Sequence, residues 1–558
     1  MGQHILTESD TMKNYSYLNT PRDLSYSYQT VPEALEFQAG KYPNHEILVF
    51  RKIDGWRETL TYKDLYAQAV KMAKSLVMKG IKKGDKVALY GPNTLQWVVG
   101  EVAVIMAGGV AVHVTSSVKG ASELQEILEV AECQGILIDP GTNGRRRDFI
   151  TSLLKSPNPL IVVFLRRTAE FADYDNLQSI VEKEETDTEL PKLSPEDDIL
   201  VFTTSGSTGK PKMICHSHFG VLNNAYFQGP DRPPTLYNDR PFGWISGSPL
   251  VNIAYGTTRV FADSSVGVKE GDPMKMWNLI REEKCSHALL MPYYLANLIN
   301  HKKDFNDRYL LRAILLSGHI IDQSYSQVIG VYSETLYIGY GLTENGGVTA
   351  IFPNIRRGDT IVTGDVGVPC EGVEIKIIDD TGRTLPRDHP GELCIRSRVA
   401  FHEYYKNPEA TRTTFIAGGW FRSGDIAVIT QNDRIVIKGR IKNVLARGGR
   451  TIFPEAIEKV VNKMNEISYI VVVAVPDKRL YEEICVCFVA KPQIDVTEDD
   501  VKDFCAQHFE VTNAADGVGY MPTYFLKFKE FPMLDSGKPN RKAIQTEAVH
   551  RLGIHKEN

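Results

Sequence analysis

Ten consecutive residues, Thr203-Thr204-Ser205-Gly206-Ser207-Thr208-Gly209-Lys210-Pro211-Lys212, combine small hydroxyls, two glycines and two lysines. Backbone N–H groups, hydroxyls and ammonium charges gathered in this way can wrap a polyphosphate. The spacing is not that of a G-x-x-x-x-G-K-[ST] loop, because Pro211 stands where the second glycine would be. A chemistry other than that of a P-loop nucleotidase is therefore expected, such as attack of a carboxylate on the α-phosphate of ATP. Taken alone such a stretch is more often a solvated loop, so its meaning depends on the motifs farther along the chain.

Beyond it, Tyr340-Gly341-Leu342-Thr343-Glu344 comes after an apolar run, 335–338, that reads as a strand. Ligand sites of α/β folds gather at the carboxyl ends of strands. A Thr hydroxyl there can reach a phosphate oxygen, and a Glu can supply a hard oxygen to Mg²⁺. Trp420-Phe421-Arg422-Ser423-Gly424-Asp425 places an Asp after a Gly turn, where a carboxylate can accept from two ribose hydroxyls. Lys438-Gly439-Arg440-Ile441-Lys442 and Arg447-Gly448-Gly449 come next. Near the end, Asp535-Ser536-Gly537-Lys538-Pro539-Asn540-Arg541 carries a Lys on a Gly/Ser turn, a placement suited to a mobile cation meeting developing negative charge.

The elements that must position these groups alternate in type. Thr61 and Asp64 form a capping-box-like start, and Leu65, Ala69, Met72, Ala73 and Leu76 then share one helical face. Gly80 ends that helix, and 87–90 reads as a buried strand before Gly91-Pro92-Asn93. The apolar stretch 98–114 contains Glu101, Gly108, Gly109 and His113, which favours a buried helix running into a strand over a membrane span. Runs 135–138, 160–164, 313–316 and 335–338 are further strands, and βα alternation of this kind predicts mainly parallel sheets. After about residue 366 the pattern alternates along 374–378 and 392–396 around a turn at Asp380-Thr381-Gly382, as in an antiparallel region. The last hundred or so residues read as a small α/β module, with a helix over 454–464 opened by Pro454 and strands at 470–475 and 484–489. The expected architecture is α/β. A large N-terminal domain, 1–440, holds parallel-rich sheets, helices and a small β-barrel-like region; a small mobile α+β domain spans 441–558.

At 558 residues the chain exceeds the size of a single core, and its net charge of -5 carries no basic stripe for nucleic acid. Eight scattered cysteines form no C-x-x-C pair, so reduced thiols are expected rather than a zinc site or a disulfide framework. The first thirty residues fit neither a secretory signal nor an Arg-rich transit peptide, Leu6 breaks the myristoylation pattern, and the closing His-Lys-Glu-Asn is no peroxisomal address. A cytoplasmic location is expected, with the mitochondrion as the alternative.

The ordered set of Thr204 to Lys212, Tyr340 to Glu344, Gly424-Asp425, Gly439-Arg440 with Lys442, and Gly537-Lys538 resembles the adenylate-forming superfamily of acyl-CoA synthetases, adenylation domains and beetle luciferases. The resemblance covers roughly residues 35–544. Within it, Glu482-Glu483-Ile484-Cys485 and Thr343-Glu344-Asn345 are most similar to the medium-chain ligases grouped as acyl-CoA synthetase family member 2. The resemblance implies ATP, Mg²⁺ and coenzyme A as small-molecule partners of a carboxylate substrate. It implies that Thr204, Ser205, Gly206, Ser207, Thr208, Gly209, Lys210, Pro211 and Lys212 hold the β- and γ-phosphates. Thr343 would contact the α-phosphate, Glu344 the Mg²⁺, and Gly318 with Tyr340 the adenine. Asp425 would accept the ribose hydroxyls with Arg440 assisting. Lys538 would bridge carboxylate and α-phosphate, Lys442 would be the hinge, and Gly448-Gly449 would line the pantetheine tunnel.

The chain departs from the family pattern at Met213, at Gly449-Arg450-Thr451, and in the longer, more polar segment 507–520. These changes are compatible with an unusual acceptor thiol or with slow thioesterification. Phe242-Gly243-Trp244-Ile245-Ser246-Gly247 resembles the stretch bordering the acyl group, with Trp244 either lining the pocket or lying in the core. Gly341 stands where acetate-specific relatives close the pocket with Trp, so a medium-chain fatty or aryl carboxylate is expected. The rivals are luciferase-like oxidation of the adenylate and, from another class, a non-catalytic nucleotide-binding scaffold. Oligomeric state is left open.

Overall fold

The computed structural model describes residues 14–554 apart from 53–54, 115–120, 142–143, 156–159, 185, 205–211, 225–231, 264–272, 301–308, 448–449, 510–518 and 535–537. Four sheets organise these residues. The first runs in the order Ile161–Phe164, Cys133–Ile138, Lys86–Tyr90, Val110–Val114, Asp198–Thr204 and Lys212–Ser217. It is parallel up to its last pair, an antiparallel hairpin. Its central strands are mostly apolar and largely buried because helices cover both faces. One such helix, Tyr62–Met78, starts at Thr61, whose side chain accepts from the backbone N–H of Asp64 at 3.2 Å. Another, Leu95–Met106, runs into Val110–Val114 as the sequence predicts, and its Glu101 meets His113 across the core at 2.9 Å.

The second sheet has nine strands in the order Val368–Pro369, Gly347–Ile355, Ser333–Leu342, Leu311–Ser317, His287–Leu290, Thr235–Tyr237, Thr258–Ala262, Glu46–Arg51 and Arg57–Thr61. Its middle is parallel and both edges are antiparallel. The strand expected over 335–338 instead extends to Leu342, because Gly347–Ile355 folds back antiparallel upon it. The turn between them is the single 3₁₀ turn Thr343–Asn345, closed by Gly346 and Gly347 at φ +70° and +122°, values open to glycine and strained for other residues.

The third sheet is antiparallel, with Tyr17–Thr20, Val373–Ile378, Gly391–Ser397, Trp420–Ile429 and Phe415–Ile416 in order and Ile435–Arg440 paired to Trp420–Ile429. The N-terminal strand Tyr17–Thr20 joins it from more than three hundred residues away. The fourth sheet, drawn entirely from residues 445–528, orders Arg450–Ile452, Leu445–Arg447, Tyr481–Ala490 and Ile467–Asp477, with Tyr524–Phe528 parallel to Tyr481–Ala490. Helices Pro454–Val461, Glu498–His508 and Arg541–Arg551 pack on it over two apolar clusters of its own. All eight cysteines are buried and free.

Candidate functional site

A cavity of about 460 Å³ opens at the carboxyl ends of Leu311–Ser317 and Ser333–Leu342. Ser317, Gly318, Tyr340, Thr343 and Lys538 line one end of it, and Trp244, Ile245, Val251, Leu289, Met291 and Val348 contribute elsewhere. Trp244 is half-buried and faces this cavity, not the core. Gly341 admits no side chain at all: a Cβ there would lie 2.2 Å from the carbonyl oxygen of Gly347 across the hairpin. The hairpin, and not merely the choice of a small residue, keeps that side of the cavity open.

Asp425 does not sit on a loop, as the Gly turn suggested, but inside Trp420–Ile429, opposite Arg440 in the antiparallel register. Gly424, at φ +71°, turns the backbone just before it. The Tyr340 hydroxyl donates to Asp425 Oδ2 at 2.6 Å, and Arg440 Nε donates to Oδ1 at 2.6 Å. Burial pushes the Asp425 carboxyl up, Arg440 and Tyr340 oppose that, and the phenol of Tyr340 is driven well above its ordinary value by burial and the adjoining carboxylate. The carboxylate is thus held by two donors, one of them the cavity-lining Tyr340.

Lys538 belongs to a loop closed by the Leu534 N–H donating to its carbonyl at 2.7 Å and by the Asn540 N–H donating to Pro532 O at 2.7 Å. Asn540 then caps Arg541–Arg551, and Arg541 Nη2 meets Glu458 at 2.7 Å, which ties this loop to the fourth sheet. The Lys538 ammonium reaches Gly318, where a Cβ would stand 3.5 Å from Nζ; Gly318 has φ +87°. Lys538 is solvent-accessible, yet the surrounding protein and the cations Arg440 and Arg240 hold its ammonium down to about 8, against the pull of Asp425. Gly439 makes a second close approach to the C-terminal region, because a Cβ there would fall 2.5 Å from Glu455 Oε2.

Glu344 stands on the 3₁₀ turn with its Oε1 accepting from the Tyr404 hydroxyl at 2.8 Å. Lys212 Nζ lies 4.4 Å over the same Tyr404 ring. The Thr343 carbonyl is gripped from below by buried His216, whose Nε2 lies at 2.7 Å. Burial holds that imidazole down to about 4, so it is neutral, and a ring nitrogen facing a carbonyl must carry the proton. No cluster of three or more His, Cys, Asp or Glu that could hold a metal occurs among the described residues. A single carboxylate such as Glu344 still suits Mg²⁺, which commonly takes one or two protein carboxylates together with substrate phosphates.

The structure therefore brings Tyr340, Thr343, Glu344, Asp425, Arg440, Gly318 and Lys538 to one place. Lys442, on the 3₁₀ turn Ile441–Asn443, is near enough to Arg440 and Lys212 that burial and those charges lower its ammonium. Ser205, Gly206, Ser207, Thr208, Gly209, Lys210, Pro211, Gly448 and Gly449 lie outside the described residues, as does the side chain of Thr204. Three functional neighbours were not read from the sequence: Arg240, His216 and Tyr404. A charged residue just past the strand Thr235–Tyr237 and beside Pro241 was a signal for Arg240. Nothing in local spacing marks His216 or Tyr404.

The AMP-binding enzyme family matches residues 35–405. The chain belongs to that family of AMP-binding enzymes. It is 28% identical over 576 residues to the medium-chain acyl-CoA ligase ACSF2, mitochondrial, of Danio rerio, covering 94% of this chain and 89% of that one. It is 26% identical to the putative acyl-CoA synthetase YngI of Bacillus subtilis (strain 168), covering 94% and 98%. Its fold matches that of the anthranilate CoA ligase AuaEII solved with anthranoyl-AMP, with a TM-score of 0.80 at 20% identity over 95% of this chain and 99% of the other.

Proposed function

We propose that this chain is an AMP-forming acid–thiol ligase that activates a carboxylic acid of medium length with ATP and passes the acyl group to coenzyme A. The observation that carries the reading is the meeting of Lys538, supplied by the C-terminal region, with Gly318, Tyr340, Asp425 and Arg440 at one mouth of an acyl-sized cavity. A scaffold that merely held a nucleotide would need no cation reaching in from another sheet.

A carboxylate is a poor electrophile, and joining it to AMP creates a good leaving group. In the first step the carboxylate oxygen bonds to the α-phosphorus while the bond to pyrophosphate breaks. Asp425 takes the ribose hydroxyls, and the Tyr340 ring and Gly318 flank the adenine. The Thr343 hydroxyl contacts the α-phosphate. Lys538 meets the negative charge that builds between carboxylate and phosphate; one preorganised contact of this kind is typically worth about 10²–10³ in rate. Residues 204–212 hold the outer phosphates. Glu344 would hold Mg²⁺, which screens phosphate charge when bound. In the second step the thiol adds to the acyl carbonyl, AMP leaves and the thiol proton goes to solvent.

Two steps with different donors need two arrangements of one chain, which rotation of a small domain provides. The division falls at 440/441, with Lys442 as the hinge and Gly448-Gly449 lining the thiol's path. In support, the fourth sheet has its own apolar clusters, Leu445 to Phe525 and Val471 to Ala548. No helix among the described residues is long and apolar enough to cross a membrane. Of the two compartments, the vertebrate relatives named as mitochondrial favour the mitochondrion.

AMP and pyrophosphate release is measured with Mg-ATP and acids from acetate to palmitate plus benzoates, with and without coenzyme A. CoA-dependent release on a medium-chain class is expected. Release without a thioester would substitute another acceptor, and light with luciferin would substitute oxidation. No release with any acid would leave the scaffold.

A further inference from the structure

The cavity that would take the acyl chain is not apolar at every wall. Arg259, fully buried on Thr258–Ala262, donates Nε to the carbonyl of Asn238 at 2.6 Å, Nη1 to Asn252 Oδ1 at 3.2 Å and Nη2 to the carbonyl of Gly247 at 3.1 Å. All three acceptors are neutral oxygens. Asn238 in turn donates Nδ2 to the carbonyl of Ser246 at 2.9 Å and accepts from the N–H of Arg240 at 3.1 Å. Together these bonds staple the 238–248 segment, with Trp244 on it, to the sheet beneath.

Asn252 is the member of this network that is left with something to give. A guanidinium only donates, so the contact with Arg259 fixes which end of the Asn252 amide is oxygen. The NH₂ end is therefore turned elsewhere. Asn252 is 1% exposed and lines the cavity, and its Nδ2 has no hydrogen-bond partner among the described residues. Four positions earlier, Ser248 is 9% exposed, lines the same cavity, and its Oγ is likewise without a partner among the described residues. Leaving buried donors unmatched is costly, and a hydrocarbon tail lying on them would offer nothing in return. A site built to hydrogen-bond a substrate oxygen discriminates strongly against the analogue that lacks it, because its own polar groups are then left bare.

We infer that the acyl substrate carries an oxygen acceptor along its chain, a hydroxyl or a second carboxylate, received by Asn252 Nδ2 and Ser248 Oγ. The inference rests on the ligase reading and narrows it: a plain medium-chain acid is the poorer substrate, and an oxygenated acid of similar length the better one. A hydroxyl would accept from Asn252 and exchange a hydrogen bond with Ser248; a carboxylate would accept from both.

Binding of non-hydrolysable acyl-sulfamoyl-adenosines, measured by calorimetry, tests this without turnover. The octanoyl compound is compared with the same chain hydroxylated at carbon 4, 6 or 8 and with the 7-carboxyheptanoyl compound. At least one oxygenated analogue is expected to bind tenfold or more tighter than the octanoyl one. Ser248→Ala removes one of those bare groups, so it should cut that preference severalfold while octanoyl affinity holds or rises, and retained octanoyl binding reports that the variant is folded. Asn252→Asp keeps the oxygen that Arg259 needs and removes the amide donor; it should abolish a preference for carboxylate and retain one for hydroxyl, so the two chemistries separate. Octanoyl affinity equal to or above that of every oxygenated analogue overturns the inference, as does a preference untouched by both substitutions. If no analogue binds and no acid releases pyrophosphate, the ligase reading itself is what fails.

Discussion

The hydroxyl of Tyr404 donates to Glu344 Oε1 at 2.8 Å, and the face of the same ring carries Lys212 Nζ at 4.4 Å. One buried phenol therefore touches both the residue assigned to Mg²⁺ and the last lysine of the phosphate loop. Removing only the oxygen, as in Tyr404→Phe, keeps the ring for Lys212 and frees Glu344 to rotate. Hydrogen bonds to charged groups are worth about 1.5–3 kcal/mol, so roughly tenfold or more in kcat/KM for Mg-ATP is at stake. Pyrophosphate release should show that loss, while thioester formation from supplied acyl-AMP stays near normal. Equal loss in both half-reactions would mean that Tyr404 acts on general stability instead of positioning Glu344.

Lys538 gives the first half-reaction an alkaline limit. Partial desolvation by the surrounding protein, together with Arg440 and Arg240, holds its ammonium down to about 8. In the role proposed for it the protonated form is the active one, so in the free enzyme activity should be full below that value and fall as pH rises through it. Adenylation measured as kcat/KM should decline above about pH 8. Lys538→Arg, which stays charged, should lose the decline while running more slowly; Lys538→Ala should cost about 10²–10³ in adenylation and largely spare thioester formation from acyl-AMP. An alkaline limb unchanged in Lys538→Arg would assign it to another group.

Local patterns made the parallel sheets and their helices legible in the sequence. Thr61 caps its helix where the Thr/Asp pair predicts, and 98–114 divides into helix and strand as its glycines suggest. Long-range pairing was not legible, and it is long-range pairing that builds the site. Tyr17–Thr20 finds its partner in Val373–Ile378, and only the fold-back of Gly347–Ile355 carries the preceding strand on to Leu342. Asp425 reads as a loop residue from its Gly turn, yet lies in a strand because Ile435–Arg440 pairs alongside it and sets Arg440 opposite. The proposed oxygen-binding patch of the cavity was invisible for the same reason: Asn252 and Ser248 have ordinary neighbours in sequence, and only the guanidinium of Arg259 shows that the Asn252 amide nitrogen is the unspent end.

Two buried imidazoles should make the protein sensitive to mild acid. Burial holds His216 and His218 down to about 4, and both are committed as neutral rings. His216 donates to the Thr343 carbonyl, while His218 Nδ1 accepts from the Val31 N–H at 3.0 Å. In the unfolded chain each titrates near 6.5. Between about 4 and 6.5 the unfolded state binds more protons, so stability is greatest above that window and falls as pH drops through it. The Tm should decrease steadily from pH 7 to pH 5, and His218→Gln should flatten part of that slope. A Tm constant over this range would show that these rings are not held neutral.

Lys442 offers the test of domain rotation. It lies on the 3₁₀ turn Ile441–Asn443, between the strand that ends at Arg440 and the first strand of the fourth sheet, Leu445–Arg447. Proline fixes φ near −65° and is tolerated in the first turn of a helix, so Lys442→Pro leaves the present arrangement accessible and removes rotation at this residue. In this arrangement Lys538 is already beside Gly318, the position proposed for adenylation. Acyl-AMP formation should therefore remain within a fewfold of normal. On the proposed rotation, transfer of the acyl group to coenzyme A needs Lys538 withdrawn, and it should fall far more. Single-turnover measurement separates the two, with acyl-AMP accumulating in the variant. If pre-formed acyl-AMP reacts with coenzyme A at the normal rate in Lys442→Pro, the chain turns elsewhere than at Lys442.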